Sequence, residues 1–244
     1  VYRFGEDDLR GFPITAGDLA AHYDEVSRHM GISGARDDLA AEFGEEPALQ
    51  PPLRMSRNCS SILDRYERNR ARLQALGARF GRARLAVLSE PHRGREPYAY
   101  RSLEFVQTGD PAAYNPALTI DELRGSGALP YEPGWFARRF RETPAGVEVD
   151  AENVAGAGTV TFRARTLILA AGALNSARIV LASARDSHSR LPLLDNPMTV
   201  LPLFHPRAIG LPMEEGASGL AQLNAVFDPT RFGAKYQASV YGGT

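Results

Sequence analysis

The residues whose types and spacing best suit ligand chemistry lie between positions 166 and 181. An apolar run at 167–169 leads into the small residues Ala170–Ala173, and a segment of helical character follows. Small side chains let a backbone approach a ligand closely, and a helix N-terminus offers unsatisfied N–H groups. Ligands of open α/β sheets bind beyond the carboxyl ends of such strands. The pattern indicates either a nucleotide-binding turn or a plain strand-to-helix turn that needs Gly172 for packing.

The five histidines do not form an evident metal site. His22 and His29 lie seven positions apart on one predicted helix, but no carboxylate or further histidine completes a ligand set at a typical spacing. We therefore expect no metal ion and ordinary roles for these imidazoles. The histidines are His22, His29, His92, His188 and His205.

Cysteine and serine give no evident nucleophile. Cys59 is the only cysteine, which excludes an intrachain disulfide and a zinc site built on cysteines. Ser60 and Ser61 lie beside it without a G-x-S-x-G elbow, so we predict that they cap a helix. The sequence names no catalytic residue.

Charge is distributed unevenly along an otherwise ordinary globular sequence. With 43% hydrophobic and 23% charged residues, the composition excludes disordered and collagen-like classes. Residues 1–53 carry four arginines against eleven acidic residues, and residues 54–101 carry twelve arginines against four. The two segments could neutralise each other, or the second could bind an acidic partner. Aromatic residues are sparse among its arginines, which argues against nucleic acid as the partner.

Helices are predicted in the first half of the chain from caps and apolar spacing. Thr15 and Asp18 form a capping pair for a helix that ends at Gly31. A second helix is predicted to begin at Ser60 or Ser61, and a short third helix covers 119–124. Residues 82–89 are predicted to form a strand.

Strands dominate the prediction for the second half. Segments 135–142, 147–150 and 159–162 are predicted to form antiparallel strands, and the continuous apolar run of 166–171 is typical of a strand buried on both faces. Asn175 or Ser176 is predicted to cap the helix that follows. The proline-rich segment after residue 186 is predicted to be irregular and extended.

Three stretches together resemble the glucose-methanol-choline (GMC) oxidoreductase family. The strand, turn and helix of 164–181 follow the family's apolar strand, Ala-Ala-Gly-Ala turn and helix. Residues 12–23, with the Gly-Ile-Ser-Gly turn at 31–34, are similar to its helix opening with Trp-Pro-Ile, and 131–140 is similar to its strand beside the adenine of FAD. The resemblance covers about residues 12–185.

The resemblance implies an FAD-dependent enzyme that oxidises the CH–OH group of an alcohol or polyol by hydride transfer to the flavin. The implied fold is α/β: a partial Rossmann-like FAD-binding domain with a β-meander, plus part of an antiparallel substrate-covering domain. By the same resemblance, Ala171, Gly172 and Ala173 would contact FAD through their backbones, and Phe136 and Ala137 would lie along the adenine edge.

The resemblance also suggests a division of the chain and shows where it departs from the family. Residues 1–115 would be a helical lid, 116–185 the FAD-binding part, and 186–244 an extended segment entering the substrate domain. The family's N-terminal G-x-G-x-x-G and C-terminal catalytic histidine region have no counterpart, so we expect a central fragment of a longer protein, inactive alone.

An alternative hypothesis retains the fold but assigns no catalytic activity to the chain. The chain would then be a non-catalytic relic or interaction module, whose Arg-rich segment 54–101 binds an acidic partner.

No apolar run is long enough for a membrane span, and no secretory leader is visible. The expected location is therefore cytoplasmic, although the chain does not begin with Met. The oligomeric state is not predicted.

Overall fold

The computed structural model describes residues 3–100, 109–156, 158–186, 188–193, 198–203, 206, 210, 216, 219–232 and 235–242. They belong to two compact units, Val1–Asp121 with His205–Thr244 (unit 1) and Glu122–Phe204 (unit 2). Both units contain helix and sheet, which confirms the α/β class at that level. Part of the predicted extended segment, including His205, lies outside the described residues.

The described residues form seven helices and eight strands. The helices are α1 Ala16–Met30, α2 Ala40–Phe43, α3 Arg57–Arg68, α4 Arg70–Ala75, α5 Pro116–Gly125, α6 Gly172–Ser183 and α7 Pro229–Phe232. The strands are β1 Ile32–Ser33, β2 Leu49–Gln50, β3 Ala78–Arg82, β4 Trp135–Thr143, β5 Gly146–Asn153, β6 Thr159–Ala164, β7 Ala221–Phe227 and β8 Tyr236–Tyr241.

Helix α1 begins where the capping pair predicts. The Thr15 hydroxyl accepts from the Asp18 N–H at 3.2 Å, and the Asp18 carboxylate accepts from the Thr15 N–H at 2.8 Å. Two N–H groups that the helix start leaves unpaired are thereby satisfied. At the other end Gly31 has a φ of +76°, a conformation that favours glycine. The predicted helix is confirmed.

The second predicted helix begins earlier than expected. Ser56, rather than Ser60 or Ser61, is the cap, because its hydroxyl accepts from the Cys59 N–H at 3.3 Å. The predicted start is therefore wrong by about one turn. The cap leaves Cys59 on the inner side of α3, where its side chain is only 1% exposed.

Unit 1 contains an antiparallel sheet in the order β3–β7–β8. Its buried side chains include Leu223, Ala225 and Val226 of the central strand β7. The predicted strand at 82–89 is wrong, because the segment that pairs with β7 is β3, which ends at Arg82. The prediction of an irregular segment after residue 186 did not include the strands β7 and β8. The short strands β1 and β2 form a separate parallel pair.

Unit 2 contains the antiparallel meander β4–β5–β6, with α6 packed against the edge strand β4. The predicted strand trio is confirmed in order and direction. Its buried apolar side chains are Val147 and Ala151 of β5 and Ile179 of α6. Outward-facing charges pair across the strands, as where Arg141 contacts Glu148 at 2.6 Å.

The buried strand predicted at 166–171 is absent, and this prediction is wrong. Residues 166–170 belong to no strand. Leu167 and Leu169 lie half-buried beside Phe140 and Val147, whereas Ile168 is 83% exposed. A strand needs a neighbouring backbone as hydrogen-bond partner, and the described residues place none beside this segment. Helix α6 then begins at Gly172, so Asn175 and Ser176 lie inside it rather than capping it.

No helix among the described residues combines the length and the apolar character that crossing a membrane requires.

Candidate functional site

The five predicted cofactor residues all lie in unit 2, on two elements that contact each other. Phe136 and Ala137 belong to β4, while Gly172 and Ala173 begin α6 and Ala171 immediately precedes it. Because α6 packs on β4, the structure brings the two predicted groups onto neighbouring elements. None of the five lines the cavity of about 360 Å³ next to Leu167 and Leu169.

Helix α6 holds the outer edge of β4 through two side chains. The Arg178 guanidinium donates to the Ala137 carbonyl at 2.9 Å, and the Ser183 hydroxyl accepts from the Phe140 N–H at 2.8 Å. An edge strand presents unpaired N–H and C=O groups, and these two contacts satisfy one of each. The carbonyl of Ala137, a residue predicted to lie along the adenine edge, therefore already has a protein partner.

Phe136 lies against two arginines. The guanidinium carbons of Arg178 and Arg138 lie 4.6 and 4.7 Å from the centre of its ring. At these distances a cation is attracted to an aromatic face. Arg138 also occupies a bulge between Ala137 and Arg139 and contacts the Glu152 carboxylate at 2.5 Å. The bulge turns this stretch of β4 away from a regular ladder.

The start of α6 leaves room for a ligand. Gly172 has a φ of +78°, and a Cβ built on it would meet no atom within 4 Å. Among the described residues no side chain caps this helix start, and Leu174 beside it is 71% exposed. Uncapped N–H groups at a helix start can bind an anion such as a phosphate. The open turn fits both interpretations of its sequence, a nucleotide-binding turn and a plain turn that leads into a helix.

Sequence reasoning missed Arg178. No carboxylate among the described residues pairs with it, and its Nε is buried without a hydrogen-bond partner. The available signal was a single cation inside the apolar stretch 177–182, next to the buried Ile179. Such a residue is expected to bind something other than water.

Unit 1 contains a separate polar cluster around Asp38. Its carboxylate accepts from the Tyr66 hydroxyl, from Arg70 at 2.8 Å and from Gln74 at 2.8 Å. The hydrogen bond from Arg70 holds the pKa of Asp38 below its usual value. Burial, followed by the hydrogen bond to Asp38, raises the pKa of Tyr66. The cluster joins α3 and α4 to the loop before α2.

The neighbouring Asp37 is in the opposite electrostatic situation. Burial raises the pKa of its carboxyl, although the N–H groups of Arg82 and Leu39 donate to it at 2.7 and 3.0 Å. Gly81 permits this approach, since a Cβ there would touch the Asp37 carboxylate. Asp37 thus joins the loop before α2 to the end of β3.

Ion pairs connect the acidic segment 1–53 to the basic segment 54–101, as one of the predicted alternatives requires. Arg70 pairs with Asp38, and Arg79 pairs with Glu42 at 3.4 Å. Other arginines of the basic segment donate to backbone carbonyls; Arg84, for example, donates to that of Gly44 at 2.6 Å. Internal neutralisation therefore accounts for part of the charge asymmetry.

Two of the histidines contact hydroxyl or carbonyl groups through their rings. His29 Nε2 lies 2.8 Å from the Thr119 hydroxyl, which lies 2.8 Å from that of Tyr114. His92 Nε2 lies 2.7 Å from the Arg28 carbonyl. In the part of the chain that the structure describes, no group of three or more His, Cys, Asp or Glu side chains gathers in a way that could hold a metal ion.

Comparison with known proteins adds no relative: no protein-family model matches the chain, and no curated protein matches it either.

Proposed function

We propose that unit 2 forms part of the FAD-binding region of a GMC-type oxidoreductase. The observation that carries the proposal is the packing of α6 on β4. It brings the turn at Gly172 and the strand residues Phe136 and Ala137, which the resemblance assigns to one cofactor, onto touching elements. The β-meander that precedes the turn also agrees with the order of elements in that family.

Each part of the site would have a separate task in binding. The N–H groups after Ala171 and Gly172 would face phosphate oxygens, because a helix start attracts negative charge. The Ala137 carbonyl would accept from an adenine amino group. A carbonyl oxygen has two lone pairs, so the contact from Arg178 leaves one acceptor site available. The open space at Gly172 would permit close approach of the ligand.

Bound FAD supplies the chemistry of accepting a hydride from a CH–OH carbon, whereas the protein binds and orients it. The proposal extends to an alcohol or polyol as substrate, which the resemblance implies. It also includes a cytoplasmic location, which the sequence alone favours. No residue of this chain is proposed as the catalytic base.

A pair of glycine variants tests the proposal. FAD is titrated into the full chain while the fluorescence of Trp135, on β4, is followed. Gly172→Val should weaken binding by about tenfold or more, since the side chain enters the space of the ligand. Gly156→Val is the matched control, because Gly156 also lies in unit 2 with a φ of +89° and no atom within 4 Å of a Cβ.

Equal affinity for FAD in both variants, after correction for the folded fraction, would contradict the proposal. Absence of FAD binding at micromolar concentration from a version of the chain extended at both ends would also contradict it.

A further inference from the structure

A stripe of side chains along α3 and α4, with one member between the two helices and one just after α4, repeats with the spacing of a helix-packing seam. Its members are spaced alternately four and three residues apart, as in the a and d positions of a coiled coil. They are Ile62, Tyr66, Asn69, Leu73 and Leu76. All five line one open groove of about 400 Å³. The aliphatic ends of the stripe are accessible, with Ile62 37% and Leu76 41% exposed.

The floor of this groove is fixed by aromatic packing. Phe80 of β3 lies beneath the stripe, with its ring centre 5.3 Å from that of Tyr66 and 6.3 Å from that of Phe227. The Tyr66 hydroxyl is held in turn by Asp38. A floor that is already ordered loses little conformational freedom when a partner binds, which favours affinity.

Two arginines contribute positive charge to the groove. Arg65 and Arg72 both line the groove and are exposed. In the described part of the chain, neither has a carboxylate within ion-pair distance, whereas Arg70 and Arg79 do. They are seven residues apart, with Arg65 on α3 and Arg72 on α4. Each immediately precedes a member of the stripe, so both cations lie along the same side of the seam.

We propose that this groove is a docking site for an acidic amphipathic helix of a partner protein. Apolar side chains of that helix would enter the seam, as in other helix-in-groove complexes. Two carboxylates one heptad apart would pair with Arg65 and Arg72. The apolar side chains beside the two cations favour this partner over a nucleic acid, whose phosphates would need positive charge without such a seam. The proposal is independent of flavin binding, because the groove belongs to unit 1.

The probe is a labelled two-heptad peptide with leucines at the seam positions and two glutamates one heptad apart. Fluorescence anisotropy with the full chain should show binding that weakens as salt increases. The double variant Arg65→Glu/Arg72→Glu should bind about tenfold or more weakly. The same variant should regain affinity for a peptide whose two glutamates are replaced by lysines. A purely structural role for the arginines would not produce this charge-swap rescue.

Arg68→Glu is the matched control for the single variant Arg72→Glu. Arg68 is the last residue of α3, four positions before Arg72 of α4, and is likewise exposed, but its Nε donates to the Asp64 carbonyl at 3.1 Å and it does not line the groove. The control should bind the acidic peptide within about twofold of the parent chain.

Three results would overturn the proposal: no binding of the acidic peptide, equal weakening by Arg68→Glu and Arg72→Glu, or no rescue by the lysine peptide. Sedimentation provides a further check. If the chain self-associates and Arg65→Glu/Arg72→Glu abolishes the association, the occupant is a second copy and the proposed partner is wrong.

Discussion

Arg178 donates a hydrogen bond of 2.9 Å to the carbonyl oxygen of Ala137 and thereby ties helix α6 to the edge of the β-meander. The contact links the two halves of the candidate site, because Ala137 belongs to β4 and Arg178 follows the Gly172 turn on the same helix. Any ligand that uses the Ala137 carbonyl must share it with this guanidinium. The same side chain therefore stabilises unit 2 and shapes its candidate ligand-binding edge.

Replacing Arg178 should destabilise unit 2. Arg178→Ala removes a charged donor and leaves the Ala137 carbonyl without this partner, which is expected to cost about 1–2 kcal/mol. Urea unfolding followed by tryptophan fluorescence reports this unit selectively, because Trp135 is the only tryptophan and lies on β4. Arg138→Ala should cost less than about 1 kcal/mol, since its pair with Glu152 is exposed. Equal effects would contradict the bridging role of Arg178.

Replacing Gly172 by alanine should cost about 1–2 kcal/mol through the backbone alone. A Cβ at this position meets no atom, but a φ of +78° disfavours every residue with a side chain. The same measurement of Trp135 fluorescence applies. Gly125→Ala, at the end of α5, is the comparison, because that glycine has open space without a positive φ and alanine should be neutral or stabilising there. An unchanged midpoint for Gly172→Ala would be inconsistent with the positive φ.

Removing the charge of Asp38 should destabilise unit 1 at neutral pH. Asp38→Asn weakens the contacts with Arg70 and Tyr66 and should cost about 1–3 kcal/mol. The pKa of Asp38 is below its usual 3.8, so its ionised form is favoured by folding. That contribution is complete above pH 3.8 and is lost as the pH falls through the lower, folded-state pKa. Circular dichroism should show the difference between parent and variant shrinking in that acidic range, and a constant difference would contradict the prediction.

Adding a methyl group at Gly81 should displace the Asp37 carboxylate. Gly81→Ala places a Cβ against that group, so the hydrogen bond from the Arg82 N–H is lost or lengthened. Overpacking of this kind costs about 1–3 kcal/mol. Thermal unfolding of Gly81→Ala, Asp37→Ala and the double variant measures the coupling. The glycine substitution should cost clearly less when Asp37 is absent, and strictly additive effects would show that the two positions do not interact.

Local signals predicted the elements that depend on neighbouring residues. The capping pair Thr15 and Asp18 located the start of α1, because both partners of the motif lie within one turn. Alternation of side chains predicted the meander, whose strands pair with their neighbours in sequence. In the second helix the cap is Ser56, which the prediction did not consider. The Ser56 N–H donates to the Gln222 side chain at 2.7 Å, a contact 166 positions away that the local sequence does not reveal.

Long-range contacts could not be read from the chain in the same way. The pairing of β3 with β7 joins residues far apart in sequence, and the local sequence does not reveal it. The prediction therefore placed a strand at 82–89, whereas the strand that pairs is β3. Segment 166–171 has the composition of a buried strand, yet composition does not supply the adjacent backbone that a strand needs. At the candidate site, the local sequence predicted the turn at Gly172. The hydrogen bond from Arg178 to the Ala137 carbonyl joins residues 41 positions apart and was not predicted.

Because Cys59 is buried, the local opening of unit 1 can be measured kinetically without denaturant. The only thiol of the chain lies on the inner side of α3 and is almost fully buried, so a disulfide reagent can reach it only when the structure around that helix opens. Under conditions where reclosing is fast, the observed labelling rate gives the equilibrium population of the opened form. The labelling rate of Cys59 therefore reports the local opening of unit 1 under native conditions.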